Sequence, residues 1–167
     1  MLFLTILLCV LTVVGTFLFW EFIAWFSHKY VMHGFLWTWH KSHHSVHAHK
    51  LELNDLFAVV FSLPCIGLLY YATLVSYNPY LIAVGIGIFS YGLFYFIFHD
   101  VIVHQRIKWR PKRRGKYLQR LMNAHFVHHS KHTKKGCEAF GFLIASKKYE
   151  PTQFSDNMNF QKIDNKL

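Results

Sequence analysis

Acidic side chains are scarce in this sequence: eight Asp and Glu stand against eighteen Lys and Arg in 167 residues. That scarcity excludes a carboxylate-bridged dimetal bundle, which needs several Glu and Glu-x-x-His ligands on facing helices. Cysteine is nearly missing too, and Cys9, Cys65 and Cys137 have no spacing that makes a disulfide framework or a zinc knuckle. No Lys or Arg precedes Lys29. The apolar N-terminus therefore lacks the basic start of a secretory signal, and with its long run it reads as a retained helix. Nothing in the chain resembles a groove-reading element, so the net charge of +10 does not point to nucleic acid.

What is present is apolar. Hydrophobic residues make up 53% of the chain, with 17 Phe and 9 Tyr, more than a water-soluble domain of this size carries. Three stretches, near residues 2–26, 56–75 and 80–98, approach the roughly 20 apolar residues that a spanning helix needs. Pro64 lies inside the second and predicts a kink. All Lys and Arg fall in two segments, three between Lys29 and Lys50 and fifteen after Val101. Three spans put both segments on one side, which the positive-inside rule makes cytoplasmic, with the N-terminus outside and the C-terminus inside. The expected fold is all-α: an integral membrane protein with about three transmembrane helices, plus cytoplasmic-side helices. A membrane-embedded domain is expected over 1–147, with a polar tail over 148–167.

Histidine is concentrated where the spans end. All thirteen lie in segments 28–49 and 99–132, on the side read as cytoplasmic. His28 and His33 form HxxxxH, and His40, His43 and His44 form HxxHH. His99 and His104 repeat the first pattern, and His125, His128 and His129 the second. On an α-helix, residues i, i+3 and i+4 share a face. Residues five apart diverge by about 140°, so each HxxxxH pair meets at one site only between several helices or on a distorted helix. Gly34 fits such an end. Neutral imidazole is a common metal ligand, and ten of them suit two ions better than one. His47, His49 and His132 fall outside the boxes and read as ordinary polar residues.

Around the boxes, Asp100, Asn54 and Asp55 are candidates to bond the outer ring nitrogen of a ligand. Asn54 or Asp55 also suits the N-cap of the second span. Glu21 lies on the face of His28 two turns deeper in the membrane, where a carboxylate needs a partner. Leu118, Leu121, Met122 and His125 recur at helical spacing and predict a helix from Tyr117 through His129. The run "FSYGLFYFIFHD" is aromatic enough to line a path for a flat apolar ligand, with helix packing the simpler use. Trp37 and Trp39 suit the membrane interface.

With "EFIAWFSHKYVMHG", "WHKSHH", "NDLFAVVF", "HDVIVHQR" and "HHSKHTKKGCEAFGFL", the chain closely resembles the bacterial β-carotene hydroxylases. These are histidine-rich non-haem di-iron oxygenases of the membrane fatty-acid-hydroxylase and sterol-desaturase superfamily, and the resemblance covers roughly Glu21 to Leu143. It implies that the ten box histidines bind two iron ions, for which zinc can substitute. It further implies O2-dependent hydroxylation of carbon 3 of β-ionone rings, carrying β-carotene through β-cryptoxanthin to zeaxanthin. The implied partners are a carotenoid in the bilayer of the bacterial inner membrane and a ferredoxin-like electron donor. Hydroxylation of a fatty acyl chain or another lipid is the alternative within the enzymes. A membrane metal transporter or store is the alternative outside them, and predicts ligands spread along the spans.

Overall fold

The computed structural model describes residues 1–45, 51–109 and 115–151, and every regular element among them is a helix. His47, His49, the basic stretch 110–114 and the tail beyond residue 151 lie outside the described residues. Three helical segments are long and apolar enough to cross a membrane: Leu2–Phe35, Leu53–Leu74 and Pro79–Val103. The expectation of an all-helical membrane protein with three spans is met.

Helix α1 runs over Leu2–Phe26 and has no charge before Glu21. Glu21 is also the one residue it buries, while Leu4, Val10, Leu11, Leu18 and Phe22 are exposed, as lipid-facing side chains are. The short helix α2 spans Trp37–His40. Helix α3, Leu56–Leu74, follows a capping box in which the Glu52 backbone N–H donates to the Asp55 carboxylate at 3.0 Å. Asn54, the other cap candidate, is turned elsewhere. The helix continues unbroken through Pro64. Helix α4, Pro79–Tyr95, is capped by Asn78, whose side chain accepts from the N–H groups of Tyr80 and Leu81 at 2.9 and 3.2 Å, with Pro79 at the first helical position. Helix α5 covers Lys116–His129.

Helices α1 and α4 run parallel and pack closely, and α3 returns antiparallel against α4. The close approach of α1 and α4 depends on Gly87, where an added Cβ would stand 2.8 Å from the Val13 carbonyl oxygen. This arrangement brings the ends of α1 and α4 and the start of α3 to one end of the bundle. Both histidine segments leave the bundle there.

Candidate metal centre

The two HxxxxH boxes are not α-helical. Ser27–Phe35 continues α1 as a π-helix, and Phe96–Val103 continues α4 in the same way. A π-helix bonds residue i to i+5, which stacks residues five apart above one another. The His104 backbone N–H indeed donates to the His99 carbonyl at 2.9 Å. The ring centroids stand 4.4 Å apart for His99 and His104 and 5.3 Å apart for His28 and His33. The 140° divergence expected on an α-helix disappears, and Gly34 leaves helical geometry just after His33 (φ −100°, ψ −122°). One expectation needs correcting. The spanning helices run on into the boxes, so His28, His33 and His99 lie on them rather than beyond their ends, although all three cluster at one end.

The ten histidines form two groups of five. His28, His33, His40, His44 and His128 make the first; His43, His99, His104, His125 and His129 make the second. Within each group one nitrogen per ring lies within 4.8 Å of all the others. The groups do not follow the two bursts of sequence. In each HxxHH box the i and i+4 rings stay together and the middle ring crosses over: His43 joins the second group and His128 the first. His43 lies 4.4 Å from His104 by ring centroids, and His128 lies 4.4 Å from His28. The two halves are interlocked.

The hydrogen bonds of the first group fix its chemistry. Each Nδ1 has an acceptor: the backbone oxygen of Phe140 for His28 (2.9 Å), of Lys134 for His33 (3.2 Å), of Lys131 for His44 (2.8 Å) and of Glu138 for His128 (2.9 Å), and Asn54 Oδ1 for His40 (2.6 Å). Carbonyl oxygens only accept, so in all five neutral rings the single proton sits on Nδ1. All five Nε2 atoms are then bare lone pairs, yet they converge. His28 and His40, His33 and His128, and His40 and His44 approach through Nε2 at 3.1, 3.1 and 3.2 Å. Lone pairs cannot bond one another, and a cation resolves the conflict. Metal–imidazole bonds of about 2.1 Å at right angles put neighbouring donors about 3 Å apart, so these residues fit a metal ion.

The second group is held differently. His43 Nδ1 faces Glu52 Oε1 at 3.0 Å and His99 Nδ1 faces Asp100 Oδ1 at 3.3 Å. Arg106 joins these carboxylates, reaching Glu52 at 2.5 Å, Asp100 at 3.3 Å and Asp55 at 2.7 Å. On the inner side, Nε2 of His43 and His99 lie 2.8 Å apart, and Nε2 of His104 and His125 lie 3.1 Å apart. His129 Nε2 is buried without a partner. Neutral acceptors thus hold the first group, and carboxylates help hold the second.

An apolar cavity of about 580 Å³ lies beside the centre, between α3, α4 and α1. Phe57, Phe61 and Leu69 of α3 face Phe89 and Gly92 of α4 and Phe96 of its π-helical continuation. From Asp55 to Leu69 the slot follows α3 for about 21 Å, at 1.5 Å per residue. Its polar end is formed by Asn54, Asp55 and Asp100, and Tyr95, another lining residue, stacks on His99 at 4.6 Å. Residues of the aromatic run from Phe89 to Phe96 thus line this cavity.

Residues 13–146 match the protein family described as fatty acid hydroxylase. The chain belongs to that family. Among curated relatives, a beta-carotene hydroxylase of Pantoea ananas is 45% identical over 139 residues, covering 83% of this chain and 76% of the relative. One of Pseudescherichia vulneris is 48% identical over 129 residues, 76% and 71% of the two chains. One of Paracoccus sp. (strain PC1) is 43% identical over 136 residues, 81% and 83%. No solved structure matches the chain.

Of the carboxylates and amides singled out in the sequence, Asn54 and Asp100 contact imidazoles of this hydroxylase. Asp55 does not: it pairs with Arg106 and closes the capping box of the short turn Leu53–Asp55 before α3, which turns its carboxylate toward the Glu52 N–H. Glu21 touches no histidine either. Its carboxylate accepts from Tyr91 Oη at 2.6 Å and from the N–H groups of Phe142, Leu143 and Ile144 at 2.8, 2.9 and 3.3 Å. It thereby anchors the segment whose Phe140 oxygen holds His28. His132 donates from Nδ1 to the His44 backbone oxygen and stands outside both groups. Sequence reasoning missed Glu52, Arg106 and four backbone carbonyls. Arg106, two residues after His104, left a weak local signal; the carbonyls left none.

Burial, and then neighbouring imidazoles, lower the pKa of His40 to about 2, of His44 to about 4 and of His128 to about 3, from 6.5. Above 6.5 these groups are neutral in both folded and unfolded chains and contribute nothing to pH dependence. Below 6.5 the unfolded chain takes up protons that the fold refuses, so stability falls until the folded pKa is reached. The melting temperature of metal-free protein in detergent is expected to drop between pH 7 and pH 5. A flat profile over that window would contradict this burial.

Proposed function

We propose that this hydroxylase inserts one oxygen atom of O2 at carbon 3 of the β-ionone rings of β-carotene, giving β-cryptoxanthin and then zeaxanthin. Two iron ions, one in each group of five histidines, are the proposed cofactor. The observation that carries this reading is the convergence of bare imidazole nitrogens next to an aromatic slot along the spanning helices, whose polar end, Asn54 and Asp100, holds two of those imidazoles. The names of the bacterial relatives support the choice of substrate. When bound, the iron pair supplies the oxygen chemistry that unactivated ring C–H bonds require and side chains lack.

The chain's own part is positional. Asn54, Glu52, Asp100 and the backbone oxygens of 131–140 keep the ring protons on the outer nitrogens, leaving the inner ones free to ligate. The slot admits a long, flat, apolar molecule end-on and brings one ring toward the centre. Its aromatic walls suit a polyene. The same reading sets the chain in the bacterial inner membrane with its N-terminus outside and the histidine centre and C-terminus in the cytoplasm, and takes a ferredoxin-like protein as its electron donor.

Pigment chromatography of β-carotene-accumulating bacteria that express the chain tests the reading. Cryptoxanthin and zeaxanthin are expected; unchanged β-carotene, with protein in the membrane and a donor present, would overturn it in favour of another lipid. Gly92 offers a sharper test of the slot. Gly92 lines the cavity and a Cβ there meets nothing within 4 Å, so Gly92→Phe is expected to place its ring in the slot. Hydroxylated product is expected to fall about tenfold or more, by loss of ring positioning, while bound metal stays at two ions per chain.

A further inference from the structure

Four of the five imidazoles of the first group hang on one segment. Between Ser130 and Phe140 the chain has no regular structure, and its backbone oxygens at Lys131, Lys134, Glu138 and Phe140 accept from His44, His33, His128 and His28. The outer side of the same segment is exposed from Ser130 to Gly136. It carries Lys131, Lys134 and Lys135, which form no salt bridge among the described residues. A cationic surface therefore stands one peptide group and one imidazole away from the centre. No residue of 130–140 lines the apolar slot, which ends on the flank of Asn54, Asp55 and Asp100.

From this placement we infer that the 130–136 segment is the docking surface for an acidic one-electron carrier protein, and that electrons enter through the first histidine group. The inference rests on the monooxygenase reading proposed above. Hydroxylation of a ring C–H consumes O2, two electrons and two protons: one oxygen atom forms the C–O–H group and the other leaves as water. Two reduced iron–sulfur carriers, each oxidised by one electron, supply the pair in successive encounters, and solvent supplies the protons. Encounters of this kind use small interfaces and are steered by charge. Three lysines with no salt bridge among the described residues, on a cover one hydrogen bond thick, provide both the charge and the short path. Among the described residues the second group has no such lysine-bearing backbone cover: its outer partners are the carboxylates of Glu52 and Asp100, both tied to Arg106. An anionic lipid surface would use the same lysines, but the membrane slot ends on the other flank.

The test uses the full chain in detergent and an acidic [2Fe–2S] ferredoxin as probe. The Kd is measured at low and high salt for the parent, Lys135→Glu and Lys134→Glu/Lys135→Glu. The parent is expected to bind more weakly as salt rises, because exposed charges are screened. The double variant is expected to raise Kd about tenfold at low salt and to lose most of the salt dependence. Lys134→Gln/Lys135→Gln should fall between. Lys135, whose backbone oxygen serves only Thr133, isolates the side-chain charge: Lys135→Glu should keep two bound metal ions and be reduced by dithionite, which needs no docking, at the parent rate. Equal Kd values across the variants at both salt levels would overturn the proposal. So would lost binding to phosphatidylglycerol vesicles with an unchanged ferredoxin Kd, which would assign the patch to lipid. A dithionite-reduced parent that forms no hydroxylated carotene would instead sink the function, whatever the Kd values show.

Discussion

Replacing His128 by alanine is expected to abolish carotene hydroxylation and to leave one bound metal ion per chain instead of two. His128 is fully buried at 0% exposure, and its ring lies within 4.4 to 4.8 Å of those of His28, His33 and His44. Truncation removes one of five converging nitrogens, opens a void among the rest and leaves the Glu138 oxygen without its donor. The loss should exceed the roughly 10–100-fold typical of residues that merely support a ligand. Metal analysis of purified protein, with pigment chromatography beside it, checks both parts. Because His128 comes from the second burst yet serves the first group, the surviving ion should sit among His43, His99, His104, His125 and His129. His132→Ala is the control: that ring belongs to neither group, and both ions should remain. A His128→Ala chain that retains two ions and full turnover would refute the assignment of His128 to the centre.

The other large effect is expected at Glu21. Its carboxylate takes hydrogen bonds from Tyr91 and from three successive backbone N–H groups at 142–144. Gly141 allows this approach, since a Cβ there would stand 2.6 Å from Glu21 Oε1. Glu21→Ala leaves four donors unpaired in a buried place. At about 1–3 kcal/mol for each unsatisfied group, with partial relaxation, the cost is about 3–5 kcal/mol. The 140–144 segment should detach, taking with it the Phe140 oxygen that holds His28 and the Phe142 ring stacked on His28 at 5.6 Å. Lower thermal stability and loss of the first metal ion should therefore appear together. Glu21→Gln keeps an oxygen for the backbone donors, and the Tyr91 hydroxyl can rotate to accept from its amide, so most stability should return. Equal damage from both substitutions would mean that the negative charge, rather than the acceptor geometry, holds the segment.

Much of this protein is legible in one dimension. Leu2–Phe26, Leu56–Leu74 and Pro79–Tyr95 form helices because long apolar runs in a bilayer must satisfy every backbone group internally. The amphipathic stripe from Leu118 to His129 likewise places α5, since spacing along a chain encodes rotation around a helix. Repetition of HxxxxH and HxxHH was enough to single out ten histidines among thirteen. Other features were decided only in three dimensions. Local spacing left HxxxxH two ways to bring its members together, between several helices or on a distorted helix, and the tertiary structure uses the second, since the spanning helices widen to i+5 bonding there. The exchange of His43 and His128 between groups depends on how two distant segments face each other. Three of the acceptors that fix the imidazole protons are backbone oxygens about a hundred residues away, those of Phe140 for His28, Lys134 for His33 and Lys131 for His44. A backbone oxygen is the same atom at every residue, so no side chain announces it. Glu21 shows the same division: its solitary charge in an apolar helix said that a partner was needed, and only the packed chain supplied the three N–H groups that answer it.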